Sequence, residues 1–292
     1  MSEKLTVIIP IFNEEESLRL FFPKVLAYCQ KNKFALIAVN DGSTDRTLHI
    51  LQSFLTESDM KFEIVSHKLN KGYGGAIKSG ILHAKSEYLI TIDADGQHYL
   101  DDIEKLYSTM LQKDADLIIG SRKGQSSASL FRGFGKKVIR MIAKMLMKIT
   151  VYDINSGMKI YRTSQVKHYL KLTPNSMSFS DVITLIFIYN RHLVLEESIR
   201  IKKRMGGKST IGVRTAFEAI MEIINIIILF NPARIFIPIS VVLFSSGLLW
   251  GFYFFIRGLG ISIGGSTLLL AGLIIFLLGL IAEQLSALRK NQ

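Results

Sequence analysis

A single cysteine, Cys29, leaves the chain unable to form an intrachain disulfide and suits a reducing compartment. No long apolar stretch precedes Lys4, and the first apolar run, Leu5 to Phe12, is too short and lacks a cleavage-like site. Secretion of the soluble part is therefore not expected. Two common nucleotide-binding loops are missing as well. A dinucleotide-binding unit needs Gly-x-Gly-x-x-Gly after the first strand, where this chain has Pro10-Ile11-Phe12-Asn13-Glu14. The glycine-rich run Lys71 to Ile77 puts Ile77 where the third glycine belongs, and Gly207-Lys208-Ser209 imitates the end of a P-loop with Lys202 in place of the first glycine. There is no internal repeat, no low-complexity linker and no convincing His–carboxylate pair.

Charge is absent from two stretches, Ile235 to Ile256 and Ile261 to Ala282. Each is long enough to cross a hydrocarbon core, which takes about 20 residues. Val241, Phe244, Leu248, Trp250, Phe252, Phe254 and Phe255 cover every face of the first stretch, whereas a packed amphipathic helix carries one apolar stripe. The connection Arg257-Gly258-Leu259-Gly260 is short, so a two-span hairpin with both ends on one side is expected. Lys202, Lys203, Arg204, Lys208, Arg214 and Arg234 precede it and Arg289 and Lys290 follow it, against Arg257 alone in the loop. The positive-inside tendency then places the N-terminal domain and the C-terminus in the cytoplasm.

The net charge of +12 could suggest nucleic acid. The basic residues gather beside the apolar runs and between Arg132 and Lys148, however, a distribution that a surface of anionic lipid explains better. Leu130 to Ile149 is amphipathic, fitting a helix at a membrane surface or one with an ordinary solvated face. In Thr215 to Phe230, Ile220, Ile223, Ile224 and Ile227 recur at helical spacing, which reads as an interfacial helix. Such paired amphipathic helices make a homo-oligomer an open expectation.

Short apolar runs alternate with longer amphipathic ones through the first half, the pattern of an α/β fold around a mostly parallel sheet. Strands are expected at Leu5–Pro10, Ala35–Asn40, Phe62–Ser66, Tyr88–Ile92 and Leu117–Ser121, with Asn13 capping a helix that opens on Glu14-Glu15-Glu16. Pro10, Asp41 and Asp93 would then rim one crevice at the carboxyl edge of the sheet. Three segments follow: a domain over 1–210, a juxtamembrane amphipathic helix over 211–233 and a transmembrane hairpin over 234–288.

The sharpest motif is Asp93-Ala94-Asp95-Gly96-Gln97-His98. A strand ending in Asp-x-Asp presents oxygen ligands where a hard divalent cation can bridge them to a diphosphate. His98 fits either a group behind that motif or an ordinary turn histidine. Taken alone, Asp41 and Asp45 could be turn and helix-cap residues, and Asp181 a helix N-cap before Val182 to Ile188.

The ordered set Pro-x-x-Asn-Glu (Pro10 to Glu14), Asp-Gly-Ser-x-Asp (Asp41 to Asp45), Asn-x-Gly (Asn70 to Gly72) and Asp-x-Asp-Gly-Gln (Asp93 to Gln97) resembles family-2 glycosyltransferases of the GT-A fold over about residues 5 to 210. With the hairpin, the resemblance is to the polyprenyl-phosphate group, which includes dolichol-phosphate-mannose synthases and bacterial undecaprenyl-phosphate glucosyltransferases. It implies that Pro10, Asn13 and Glu14 shape the nucleotide pocket, that Asp41 contacts the base and that Asp93 lies near the ribose and diphosphate. Nucleotide-sugar contacts extend to Ser43, Asp45, Lys71, Gly72, Ala94, Arg204 and Lys208, while Asp95 and Gln97 hold Mg2+ or Mn2+. Arg122, Arg132 and Lys136 would bind the acceptor phosphate, although Lys136 and Lys208 equally suit solvated surface positions.

Asp93, Asp95, Arg122 and Arg132 are the implied catalytic group. Asp153 to Lys159, with Arg162 beyond, resembles a strand that touches donor and acceptor. The implied reaction is inverting transfer from a nucleotide sugar, UDP-glucose or a related UDP-hexose, to a polyprenyl phosphate. GDP-mannose is the alternative donor. A processive polysaccharide synthase would add Gln-x-x-Arg-Trp, but the only tryptophan is Trp250, inside an apolar run. A noncatalytic membrane anchor would not require Asp93, Asp95 and Gln97 together.

Overall fold

The computed structural model of the chain describes residues 4–122, 151–202 and 232–290, divided between an α/β unit and a helical unit. Seven strands form the sheet of the first: β1 (Leu5–Ile11), β2 (Ala35–Asn40), β3 (Glu63–Ser66), β4 (Tyr88–Thr91), β5 (Leu117–Ser121), β6 (Lys159–Arg162) and β7 (Val194–Ser198). Their order across the sheet is β3-β2-β1-β4-β6-β5-β7. β6 alone runs against its neighbours β4 and β5, and the other pairings are parallel. The strands expected from periodicity are present to within a residue at either end. β7 was not anticipated, because Val194-Leu195-Glu196-Glu197-Ser198 shows no apolar alternation.

Helices α1 (Glu15–Asn32), α2 (Thr47–Glu57), α3 (Tyr73–His83) and α4 (Asp101–Lys113) connect the parallel strands, and α5 (Thr163–Tyr169) and α6 (Phe179–Tyr189) follow β6. α1 packs because Leu18, Phe21, Phe22, Val25, Leu26 and Cys29 recur on one face, each buried. Burial of each large side chain there contributes about 1.5–3 kcal/mol. The same burial pushes the Cys29 thiol up to about 12, so it stays an uncharged packing group. Asn13 does not cap α1 as expected. It adopts a positive φ of 52° and sends its side chain across to the Thr44 turn, while α1 starts at Glu15. Asp181 is not an N-cap either: α6 begins at Phe179, and Asp181 lies in its first turn.

This order places the carboxyl ends of β1, β2 and β4 together, with Asp41 N–H donating to Ile11 O at 2.8 Å and Ile92 N–H to Ile8 O at 3.1 Å. Chain direction reverses beyond β4, and the antiparallel β6 starts at this edge, bringing the 153–158 loop beside the ends of β4 and β5. A crevice at such a switch point is where open α/β sheets bind ligands.

The helical unit pairs α7 (Ala233–Ile256) with α8 (Ile263–Lys290), two helices long and apolar enough to cross a bilayer. They approach closely through small residues: a side chain at Gly247 would stand 2.9 Å from Gly265 O, and one at Gly272 3.0 Å from Phe244 N. Leu249, Trp250, Phe252, Phe255 and Ile281 point outward and exposed. Lipid is the solvent that such a surface suits. The basic segment over 130–149 and the juxtamembrane segment over 215–230 lie outside the described residues.

Candidate active site

The first wall of the crevice is made by the turns after β1 and β2. Asn13 N–H donates to Ser43 Oγ at 3.1 Å and Thr44 N–H donates to Asn13 Oδ1 at 2.8 Å, locking the two turns together. Pro10 lies in β1 beside Val39, and Glu14 N–H donates to Thr47 Oγ1 at 3.0 Å. Asp45 stands one residue before the Arg46 cap of α2 and ties two helix starts together: Oδ1 accepts the Thr47 N–H at 2.9 Å, and Oδ2 takes Glu15 N–H at 3.3 Å. Asp41 behaves differently. Its carboxylate is buried, and Oδ1 accepts from Lys71 N–H at 2.9 Å. Between them Gly42 has a φ of 67°, and a side chain there would meet the Asn70 backbone at 2.6 Å. Lys71 thus contributes its backbone to the site, and Gly72 N–H is held by Asn70 Oδ1 at 2.8 Å.

The second wall is built on Asp93. Tyr73 Oη–H donates to Oδ1 at 2.9 Å, and His98 Nε2 faces Oδ2 at 3.4 Å. Burial alone would raise the Asp93 pKa, but the bonds from His98 and Tyr73 and the charge of Arg122 outweigh it, leaving the carboxyl below its ordinary value. Burial, followed by the Asp93 charge, pushes the Tyr73 hydroxyl well above its usual range, so it remains a donor. Gly157 lies directly against this carboxylate: a Cβ there would be 2.2 Å from Oδ2. His98 is no ordinary turn residue. It is buried and bridges Ile201 across an antiparallel pair, and its Nδ1 has no hydrogen-bond partner among the described residues.

Beyond the buried Ala94, Asp95 Oδ1 accepts Gln97 N–H at 3.1 Å, and Gln97 Nε2 donates to Lys202 O at 3.4 Å, leaving Gln97 Oε1 as the atom able to face a cation. No group of three or more His, Cys, Asp or Glu side chains placed to hold a metal occurs among the described residues. The oxygens of Asp95 and Gln97 fit a hard cation that completes its shell with diphosphate and water, the usual habit of Mg2+.

Arg122 closes the crevice from the end of β5. Nε and Nη2 grip the two Asp153 oxygens at 2.6 and 2.7 Å, and Nη2 reaches Asn155 Oδ1 at 2.7 Å. Asp153 is steadied by its own N–H, which donates to Glu196 Oε1 at 2.7 Å. Nη1 takes none of these contacts. The Asp153 hydrogen bonds raise the Arg122 pKa despite burial, so a positive charge is permanent here. Beneath the loop Lys159 is fully buried, its ammonium donating to Ile154 O at 2.6 Å, Thr184 Oγ1 at 2.7 Å and Ser180 O. Burial lowers it to about 7, against the opposing charges of Asp181 and Asp153.

The structure therefore gathers Pro10, Asn13, Asp41, Asp93, Asp95, Gln97 and Arg122 on one sheet edge. Arg132, Lys136, Arg204 and Lys208 lie outside the described residues. The bond from Tyr73 to Asp93, the contact of Gly157 with that carboxylate and the clamp between Asp153 and Arg122 were not read from the sequence. Tyr73 directly follows the Asn-x-Gly element in a glycine-rich run, and nothing local signals that its hydroxyl reaches Asp93.

The glycosyl transferase family 2 model matches residues 6–170. The chain belongs to that family. A second model, the GtrB C-terminal hairpin, matches residues 231–288 and coincides with α7 and α8. Among curated proteins, the dodecaprenyl-phosphate galacturonate synthase of Rhizobium johnstonii is 26% identical over 94% of this chain and 83% of its own length. The undecaprenyl-phosphate 4-deoxy-4-formamido-L-arabinose transferase of Photorhabdus laumondii is 32% identical over 58% of this chain, a match spanning 52% of that transferase. Among solved structures, glucosyl-3-phosphoglycerate synthase from Mycobacterium tuberculosis, in complex with Mn2+, UDP-glucose and phosphoglyceric acid, superposes with a TM-score of 0.56 at 14% identity, covering 77% of this chain and 79% of that one. At that identity the likeness speaks for the fold, which is GT-A.

Proposed function

We propose that this family-2 glycosyltransferase moves a sugar from a nucleoside diphosphate donor to a polyprenyl phosphate, inverting the anomeric carbon. One observation carries the reading: an Asp93–Asp95–Gln97 oxygen set and a clamped Arg122 share one crevice in a chain that also bears an apolar helical hairpin. The two curated relatives named above are both polyprenyl-phosphate enzymes by name, which supports a lipid acceptor. A UDP-hexose, glucose first, is the favoured donor and GDP-mannose the second.

The chemistry asks little of an acid–base group. A phosphate monoester has a second pKa near 6, so at neutral pH the acceptor is mostly a dianion and already nucleophilic. The task of the protein is to strip water from that phosphate and aim it. Arg122, held rigid by Asp153 and Asn155, offers Nη1 to one phosphate oxygen, a role in which the family resemblance would add Arg132 and Lys136. Asp93, fixed by Tyr73 and His98, orients the donor at the ribose and diphosphate. Asp95 and Gln97 would hold Mg2+ or Mn2+, which supplies charge neutralisation on the departing nucleoside diphosphate. An apolar hairpin in the same chain would tether the enzyme to a bilayer, and its basic flanks support a cytoplasmic catalytic domain and C-terminus.

The test is transfer of labelled sugar from a panel of UDP-sugars and GDP-mannose to undecaprenyl phosphate by the purified full chain, read as label in an organic-extractable lipid. Label in one donor lane supports the proposal. Absence of lipid product with every donor, or label in long insoluble polymer, rejects it.

A further inference from the structure

Asp41 has a second partner that the turn itself does not require. Its Oδ1, already bonded to Lys71 N–H, also accepts from His67 Nδ1 at 2.6 Å. Both side chains are almost fully enclosed, with 5% of His67 and 3% of Asp41 exposed. On its far side, His67 Nε2 lies 2.8 Å from Ser79 Oγ in α3, and the His67 backbone N–H donates to Asn40 O at 2.9 Å. The ring is thus held at both nitrogens and its backbone at a third point. An ionised carboxylate can only accept, so Nδ1 carries a proton toward Asp41, while the Ser79 hydroxyl, able to donate or accept, satisfies Nε2 and holds the far side of the ring. Ser79 lies in the interior of α3, where backbone N–H groups are used by the helix. The chain of three therefore lacks the oxyanion donors of a hydrolytic triad.

Both donors fall on Oδ1, and Oδ2 takes neither. We infer that His67 is a positioning residue which, with Ser79, locks the Asp41 carboxylate so that Oδ2 acts only as an acceptor toward the nucleobase, selecting bases with a ring N–H (uracil or guanine type) over those presenting a ring-nitrogen lone pair (cytosine or adenine type). This rests on the reading that Asp41 lines the nucleotide pocket. A hydrogen bond to a charged acceptor is worth enough to give about tenfold or more in discrimination, because a lone pair facing the carboxylate repels it.

Two substitutions separate the two ends of the ring. His67→Asn keeps an amide donor near the place of Nδ1, whereas His67→Gln carries its amide toward Ser79 and abandons Asp41. With the full-length protein in detergent, binding of UDP, GDP and CDP and the kinetics against the donor sugar are measured beside the thermal midpoint. The expected result is that UDP or GDP binds at least about tenfold tighter than CDP and that His67→Asn stays within about threefold of wild type. His67→Gln should lose about tenfold in nucleotide affinity and raise donor KM, with kcat at saturating donor and acceptor KM nearly unchanged. Should His67→Gln fail to fold, Ser79→Ala carries the test, with an expected two- to threefold loss, roughly, of nucleotide affinity. Equal weakening by Asn and Gln, no weakening by Gln or, in its place, by Ser79→Ala, or CDP binding as tightly as the others overturns the assignment while leaving the pocket in place. Wild-type protein that binds none of the three nucleotides overturns the pocket reading and this assignment together.

Discussion

Gly157→Ala is the sharpest probe of the site, because the residue touches Asp93 without carrying any chemistry of its own. An added Cβ would stand 2.2 Å from Asp93 Oδ2 and 2.7 Å from both Cγ and Oδ1, closer than non-bonded atoms tolerate. Gly157 is not among the residues with positive φ, so alanine introduces no backbone strain and the effect is steric. The loop cannot easily retreat: Thr91 Oγ1 donates to Gly157 O at 2.9 Å, Gly120 N–H to Met158 O at 2.9 Å and Lys159 Nζ to Ile154 O at 2.6 Å. The carboxylate must therefore swing, breaking its bonds to Tyr73 and His98. A hydrogen bond to a charged group is worth about 1.5–3 kcal/mol, and a displacement near 1 Å at a reacting centre costs about a hundredfold in rate. We expect kcat/KM for the donor to fall about a hundredfold or more, corresponding to roughly 2.7 kcal/mol, with a modest loss of stability. Initial rates of lipid-linked sugar formation by full-length protein, beside a thermal melt, provide the assay. A folded Gly157→Ala enzyme with near-normal kinetics would refute the reasoning about Asp93.

Asp95→Asn keeps the Gln97 turn but removes the charge offered to a cation, and turnover is expected to disappear across a titration of Mg2+ and Mn2+; rates near wild type in that titration would contradict it. Arg122→Lys replaces a fork that holds two Asp153 oxygens by a point charge, so KM for undecaprenyl phosphate should rise about tenfold while donor KM moves little, as checked by acceptor titration. Lys159 titrates near 7 in the fold and near 10.5 when unfolded, so between those values the unfolded chain binds more protons. Stability should rise with pH across that window, by up to about 1.4 kcal/mol per pH unit from this group, and be insensitive to it below about 7. Lys159→Met should flatten that rise in melting temperatures taken from pH 7 to 10, and an unchanged slope would count against the assignment.

Much of the α/β unit was legible because its signals are local. Leu5–Ile11 and Ala35–Asn40 are apolar runs bounded by turn residues, and Asp93 and Asp95 follow such a run directly. β6 and β7 were harder to read as ladder strands: one begins at Lys159 and ends at Arg162, and the other holds Glu196 and Glu197. Their place in the sheet comes from partners far along the chain. A buried lysine also contradicts hydropathy. Only the fold supplies Ile154 O, Ser180 O and Thr184 Oγ1 to receive its protons. Asn13 shows the opposite failure, since its local sequence suits a helix cap yet its side chain is taken by the turn after β2.

Composition and spacing by themselves determined that the chain has an α/β half with acidic groups at strand ends and an apolar hairpin, because the period of a strand, a helix or a membrane span is written in neighbouring residues. Tertiary structure alone decided that Gly157 abuts Asp93, that Asp153 grips Arg122 and that His67 joins Asp41 to Ser79. Those contacts arise where β6 runs back along β4 and β5 and where α3 returns behind β2, and no local pattern of residues encodes which distant side chains such crossings bring within hydrogen-bonding reach.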